Sequence, residues 1–263
     1  MTRQGRTRSL EDLYEARTHK DLINEFYEHS DFLNFGYWAE GIATAREACE
    51  HLMDRLLGAL PDAPGAVLDV ACGRGATTRS LLRRWSPERV TGIDLSERSL
   101  ERARINAPGC EFRHMDATEL DFADETFDVV LSVEACFHFN TRAKFLAEAC
   151  RVLKPGGWLV LTDILVARWM EINNPSRTEE NYVDSLKEYR EIFVGAGFPQ
   201  PRVQDATREC STRFYEEMSK HVWRARRAGK IDEDRFQRIN KFIGWSMLAQ
   251  RHYVLVWARK PAA

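Results

Sequence analysis

VLDVACGRGATT, residues 67–78, is a short apolar run that ends in two glycines and then turns helical. A continuous apolar run of this length fits a strand buried on both faces, as in a parallel sheet. Gly73 and Gly75 let the chain turn tightly and approach a ligand closely, beside a helix N-terminus. A dinucleotide fingerprint needs a third glycine, and Thr78 stands in its place. Asp69, at the end of the strand, precedes the glycines. A carboxylate there repels a pyrophosphate and attracts an amino group.

Downstream, strand patterns alternate with helical ones. RVTGIDL (89–95), EFRHMD (111–116), FDVVLSV (127–133) and WLVLTDIL (158–165) read as strands, and 75–85, 97–106 and 141–153 as helices. Such alternation implies right-handed βαβ units and an α/β fold. The second strand ends at Asp94, about 20 residues beyond the loop, where a carboxylate can accept both hydroxyls of a ribose. The third ends at Met115-Asp116-Ala117, where an acid can accept from an adenine amine beside apolar side chains. Lone acids at strand ends are commonly only solvated; their order after this glycine loop makes them a set.

The flanks are helical. Leu10, Leu13, Leu22, Ile23, Phe26 and Tyr27 recur at helical spacing over 9–30, after a loose tail at 1–8. Aromatic residues crowd the segment 31–38, and a second helix is expected from Thr44 to Leu60, stopped by Pro61 and Pro64. After Leu165 the reading is a helix at 179–194, a strand at 201–207, helical character over 208–249 and a last strand at 252–260. One domain spans 1–263: a helical lid (1–60), a core (65–165) and a helical cap (207–249).

Composition narrows the function. Lys and Arg number 38 and Asp and Glu 40, a net charge of -2, which speaks against a dedicated nucleic-acid binder. The basic stretch KHVWRARRAGK (220–230) is balanced by neighbouring acids and reads as a solvated helix face. No apolar run approaches the roughly 18 residues of a membrane span. No apolar region follows the basic start MTRQGRTRS, so a cytoplasmic chain without a secretory signal is expected. The six cysteines form no Cys-x-x-Cys pair and the seven histidines no His-x-x-x-His pair, so neither a metal nor a disulfide framework is expected.

Together these motifs resemble the class I S-adenosylmethionine-dependent methyltransferases. VLDVACGRG is similar to that family's first motif, VTGIDLS to its ribose-binding strand, and HMDATEL to its adenine-side loop. FDVVLSVEACFHF and LKPGGWLVLTD resemble its fourth and fifth strands, so the likeness runs through about residues 65–165. It implies a Rossmann-like sheet of seven strands, mostly parallel with the last antiparallel, and S-adenosyl-L-methionine as cofactor. It places Asp69, Ala71, Gly73 and Gly75 near the methionine moiety, Asp94 at the ribose, and Leu95, Asp116 and Ala117 at the adenosine. Ser132 and Val133 fall on the sulfonium side, and Tyr27 and Tyr37 are candidates to cover the methionine end.

The pair His138 and Asp163 resembles that of bacterial natural-product O-methyltransferases acting on sugars. A histidine, with a reference pKa of about 6.5, can take a hydroxyl proton at neutral pH. The expected acceptor is a small, hydrophobic metabolite under an aromatic-rich cap, methylated at oxygen. Methylation at carbon or nitrogen, or a cyclase that keeps the cofactor pocket, stays open, as does homo-oligomerisation.

Overall fold

The computed structural model describes residues 20–61, 65–174 and 177–262. The expected tail at 1–8, and Leu10 and Leu13 of the first expected helix, lie outside the described residues. Two helices precede the sheet, α1 (Lys20–Phe26) and α2 (Ala45–Gly58). Thr44 caps α2: its hydroxyl accepts from the Glu47 amide while the Glu47 carboxylate accepts from the Thr44 amide. Each side chain thus satisfies a backbone donor that the first turn leaves unpaired.

The core then alternates: β1 (Val67–Val70), α3 (Ala76–Leu81), β2 (Val90–Asp94), α4 (Glu97–Asn106), β3 (Glu111–His114), β4 (Phe127–Val133), α5 (Arg142–Val152) and β5 (Leu153–Val166). It continues with α6 (Arg168–Asn173), α7 (Leu186–Gly195), β6 (Arg202–Asp205), α8 (Arg213–Arg227), α9 (Glu233–Ala249) and β7 (Gln250–Arg259). The seven strands lie in the order β3-β2-β1-β4-β5-β7-β6. Neighbours from β3 to β5 pair in parallel, and β7 runs antiparallel between β5 and β6. All four residues of β1 are buried, as its apolar run requires.

Helices cover both faces. On one, Leu52, Met53 and Leu56 of α2 pack with Leu81 of α3, Leu131, Val160 and Leu255. On the other, Phe145 and Leu146 of α5 and Phe193 of α7 pack on Leu68, Val130 and Leu159. Complete burial of one such side chain contributes roughly 1.5–3 kcal/mol.

Several expected helices differ in extent: the one expected to reach 30 ends at Phe26, and the one expected to reach 85 ends at Leu81. The helix expected from 179 begins at Leu186, because Ser185 caps it; residues 179–181 form a single 3-10 turn. The expected stretch 208–249 is a π-helical turn, Arg208–Thr212, followed by two α-helices. Gly229, with φ +69°, ends α8, and Asp232 caps α9 by accepting from the Arg235 amide. Part of the basic stretch is paired at the surface, Lys220 with Glu217, Arg226 with Glu233 and Lys230 with Glu25. Among the described residues, no helix is long and apolar enough to cross a membrane.

Strands β1, β2 and β3 step outward in one direction, and β4 starts again on the other side of β1. The crossovers therefore diverge between β1 and β4. Ligands bind at such a switch point, beyond the carboxyl ends of the strands.

Candidate active site

A cleft of about 890 Å³ opens there. Ala71, Cys72 and Gly73 after β1 form one part of its wall, and Val133 and Glu134 at the end of β4 another. Asp94 and Leu95 close the β2 side with Met115 and Ala117. Ile164 and Val166 of β5 lie on the opposite side, and residues 31–35, Tyr215 and Phe242 complete the enclosure.

The glycine loop is built for close approach. Gly73 has φ +53° and its amide donates to Asp94 Oδ2 at 2.9 Å. Gly75 has φ +79°, and a Cβ there would sit 2.7 Å from Ala103 Cα, so only glycine lets α3 lie this close to α4. Asp94 Oδ1 accepts from the Ser96 amide at 2.9 Å, so both carboxylate oxygens are held by backbone. A carboxylate has about four acceptor positions. Leu95, Met115 and Ala117 make that end apolar beside the acid, and an acceptor flanked by apolar wall suits a nucleoside.

At the other end, Cys136–His138 form a single 3-10 turn, which places Phe137 and His138 on the cleft wall. Their rings lie 4.2 Å apart. The Arg177 guanidinium stacks 4.4 Å over Phe137 and is held by Glu171 at 2.8 Å. Ile164, Val166, Met170 and Tyr215 supply apolar wall around them.

Sequence reasoning missed Glu134. It takes a left-handed backbone, φ +54°, matching Ala71 at +57° after the adjacent strand. Such strain in residues other than glycine is retained where the surroundings enforce it, often at functional sites. Glu134 Oε1 accepts from the Phe35 amide and the Tyr253 hydroxyl, both at 2.6 Å. Burial pushes its carboxyl up to about 8, against the pull of those two donors. Its one legible signal was a lone acid inside SVEACFHF, just past a buried strand.

Several expected residues stand elsewhere. Asp163 is fully buried and does not reach His138: it pairs with Arg142 at 2.7 Å and accepts from the Tyr189 hydroxyl at 2.9 Å. Side chains alternate along a strand, so with Ile164 and Val166 on the cleft, Asp163 faces α5 and α7. The same alternation turns Ser132 away, towards Cys136, and leaves Val133 on the wall. Asp69 lies beneath the loop, accepting from the hydroxyls of Thr77 and Thr78 at 2.9 and 2.6 Å. Burial raises its carboxyl to about 6. It therefore anchors α3 and does not line the cleft.

Gly75 likewise acts in packing. Asp116 turns back to accept from the amide and hydroxyl of Thr118, leaving Met115 and Ala117 on the wall. Tyr27 donates to the Asn34 carbonyl, and Tyr37 stacks under Arg55 at 4.3 Å; neither lines the cleft. The aromatic segment does cover the cleft, through Phe32, Leu33 and Phe35. Of the expected set, Ala71, Gly73, Asp94, Leu95, Ala117, Val133 and His138 come together there.

Sheet order, switch-point cleft and the Asp94 carboxylate fit one class, an α/β enzyme with a nucleoside cofactor. The profile of the methyltransferase domain family matches residues 68–161. The chain is 32% identical to the 27-O-demethylrifamycin SV methyltransferase of Amycolatopsis mediterranei over 270 residues, 92% of this chain and 93% of that one. It is 38% identical to the erythromycin 3''-O-methyltransferase of Saccharopolyspora erythraea over 143 residues, 51% of this chain and 46% of that one. Among solved structures, the cyclase SpnF superposes with a TM-score of 0.71 at 22% identity, covering 97% of this chain and 95% of that one. At that identity the likeness speaks to the fold alone.

The chain belongs to the class I S-adenosylmethionine-dependent methyltransferases of the bacterial natural-product type. Its cofactor is S-adenosyl-L-methionine.

Proposed function

We propose that the chain methylates a hydroxyl oxygen of a small, hydrophobic natural-product metabolite. The observation that carries this reading is the imidazole of His138 on the wall of an otherwise largely apolar end of the cleft. The two relatives described above, both named for O-methylation, support it.

Bound S-adenosylmethionine supplies an electrophilic methyl group. In this reading Asp94 accepts from the ribose hydroxyls, and Leu95, Met115 and Ala117 enclose the adenine. Ala71 and Gly73 leave room for the methionine portion, and Val133 packs beside it. Phe137, Ile164, Met170 and Tyr215 exclude water around the acceptor and hold its apolar body. His138 takes the proton from the reacting hydroxyl. Aligning the reactants and moving one proton is the work left to the protein, and a positioned base contributes typically ~10²–10⁴-fold.

The test is methyl transfer from ¹³C-methyl S-adenosylmethionine to a panel of hydroxylated macrocycles and glycosides that includes 27-O-demethylrifamycin SV. Carbon NMR of the product should show the label as a methoxyl group. A label on carbon or nitrogen, or conversion of the acceptor without any label, would contradict oxygen as the acceptor atom.

A further inference from the structure

Glu134 has no part in the reaction described above, yet it occupies the middle of the cleft wall. The sheet order β2-β1-β4-β5 sets the sequence of wall groups: Asp94, then Ala71 to Gly73, then Val133 and Glu134, then Ile164. A cofactor with its ribose at Asp94 and its methyl near His138 has its cationic methionine portion beside the ends of β1 and β4. Asp69 is sequestered there by Thr77 and Thr78. Asp31, another acid on the wall, is paired with Arg74 and Arg102. Glu134 Oε1 is held by Phe35 and Tyr253, and among the described residues no donor reaches Oε2.

From this arrangement we propose that Glu134 is the counter-charge for the cationic end of S-adenosylmethionine, and that binding the cofactor drives a proton off its carboxyl. The O–H bond breaks, the electron pair stays on the carboxylate and the proton leaves to solvent. The inference holds whichever acceptor atom is methylated.

The titratable groups around Glu134 are Tyr253 of β7, Cys49 of α2 and Cys210 of the turn before α8. Burial pushes all three well above their ordinary values, so they stay neutral. Among the described residues, no arginine, lysine or histidine pairs with Glu134. Without a cation it keeps its proton to about pH 8. An opposite charge within about 4–6 Å lowers a carboxyl pKa by 1–3 units. The ligand's sulfonium and ammonium supply that charge.

Titration calorimetry of S-adenosylmethionine near neutral pH, in phosphate and in Tris, counts the protons exchanged. The wild-type chain should release roughly 0.4–0.9 of a proton at pH 7. Affinity should rise with pH, by up to about tenfold per unit, and level off once the free carboxyl is itself ionised. Glu134→Gln keeps an amide oxygen for Phe35 and Tyr253, so the fold should survive by circular dichroism. The proton release and the pH dependence should both disappear. Tyr253→Phe removes a donor that favours the carboxylate, so its release should persist to higher pH. Equal proton counts in wild type and Glu134→Gln would overturn the proposal.

Discussion

Asp94 is held by two backbone amides at the rim of the sheet, so its side chain is aimed before any ligand arrives. Hydrogen bonds to a charged group contribute about 1.5–3 kcal/mol each. Asp94→Ala should therefore weaken S-adenosylhomocysteine binding at least about tenfold in a calorimetric titration of the folded protein. Asp163 has the opposite character. Its partners Arg142 and Tyr189 are buried with it, and Arg142 also donates to the Asn181 carbonyl. Breaking a buried pair leaves an uncompensated charge and costs about 3–5 kcal/mol. Asp163→Asn should thus lower stability to urea while ligand affinity of the folded protein stays within a few-fold. Full stability with slowed turnover would return Asp163 to the reaction. The sequence shows that Ser132 and Val133, or Asp163 and Ile164, alternate. It does not show which phase meets the cleft, because that depends on which face of the sheet the lid covers.

At the scale of elements, the glycine loop is the most constrained piece. Gly75 combines φ +79° with a would-be Cβ 2.7 Å from the Ala103 backbone. Gly75→Ala should cost about 1–3 kcal/mol in urea unfolding, through backbone strain and forced separation of α3 from α4. An unchanged midpoint would mean that α4 yields freely. This loop was legible because strand, glycines and helix are adjacent in sequence. So were Asp94, Leu95 and Ala117, each fixed to the end of a periodic strand. The segment 31–38 was legible only as a whole. It has no repeating period, so nothing in its sequence distinguishes Phe35, stacked 4.2 Å from Phe214, from Tyr37, which faces Arg55. The division of 208–249 hinges on Gly229 and Asp232, weak signals inside a strongly helical stretch.

For the whole molecule, the fold near the switch point sets two acids into surroundings that disfavour their charge. Asp69 rises to about 6 from 3.8, and Glu134 to about 8 from 4.5. Below both ordinary values the native and unfolded chains are alike protonated at these two positions. Above them the unfolded chain ionises first and binds fewer protons, so unfolding becomes easier as pH rises. The contribution of these two groups ends once Glu134 ionises in the native state. The ligand-free protein should accordingly melt at lower temperature at pH just above 8 than near 6, and Glu134→Gln should narrow that difference. An unaltered difference would show that the carboxyl is ionised throughout.

In the proposed reading, cofactor and acceptor meet where β4 gives way to the turn that carries His138. Whether that histidine moves the proton is best measured by the single-turnover rate of methyl transfer, with cofactor and acceptor saturating, in wild type and His138→Ala. The rate should fall by roughly 10²-fold or more, and the rise of rate with pH that a general base imparts should be lost. A His138→Ala enzyme with the full rate and the same pH profile would contradict the account.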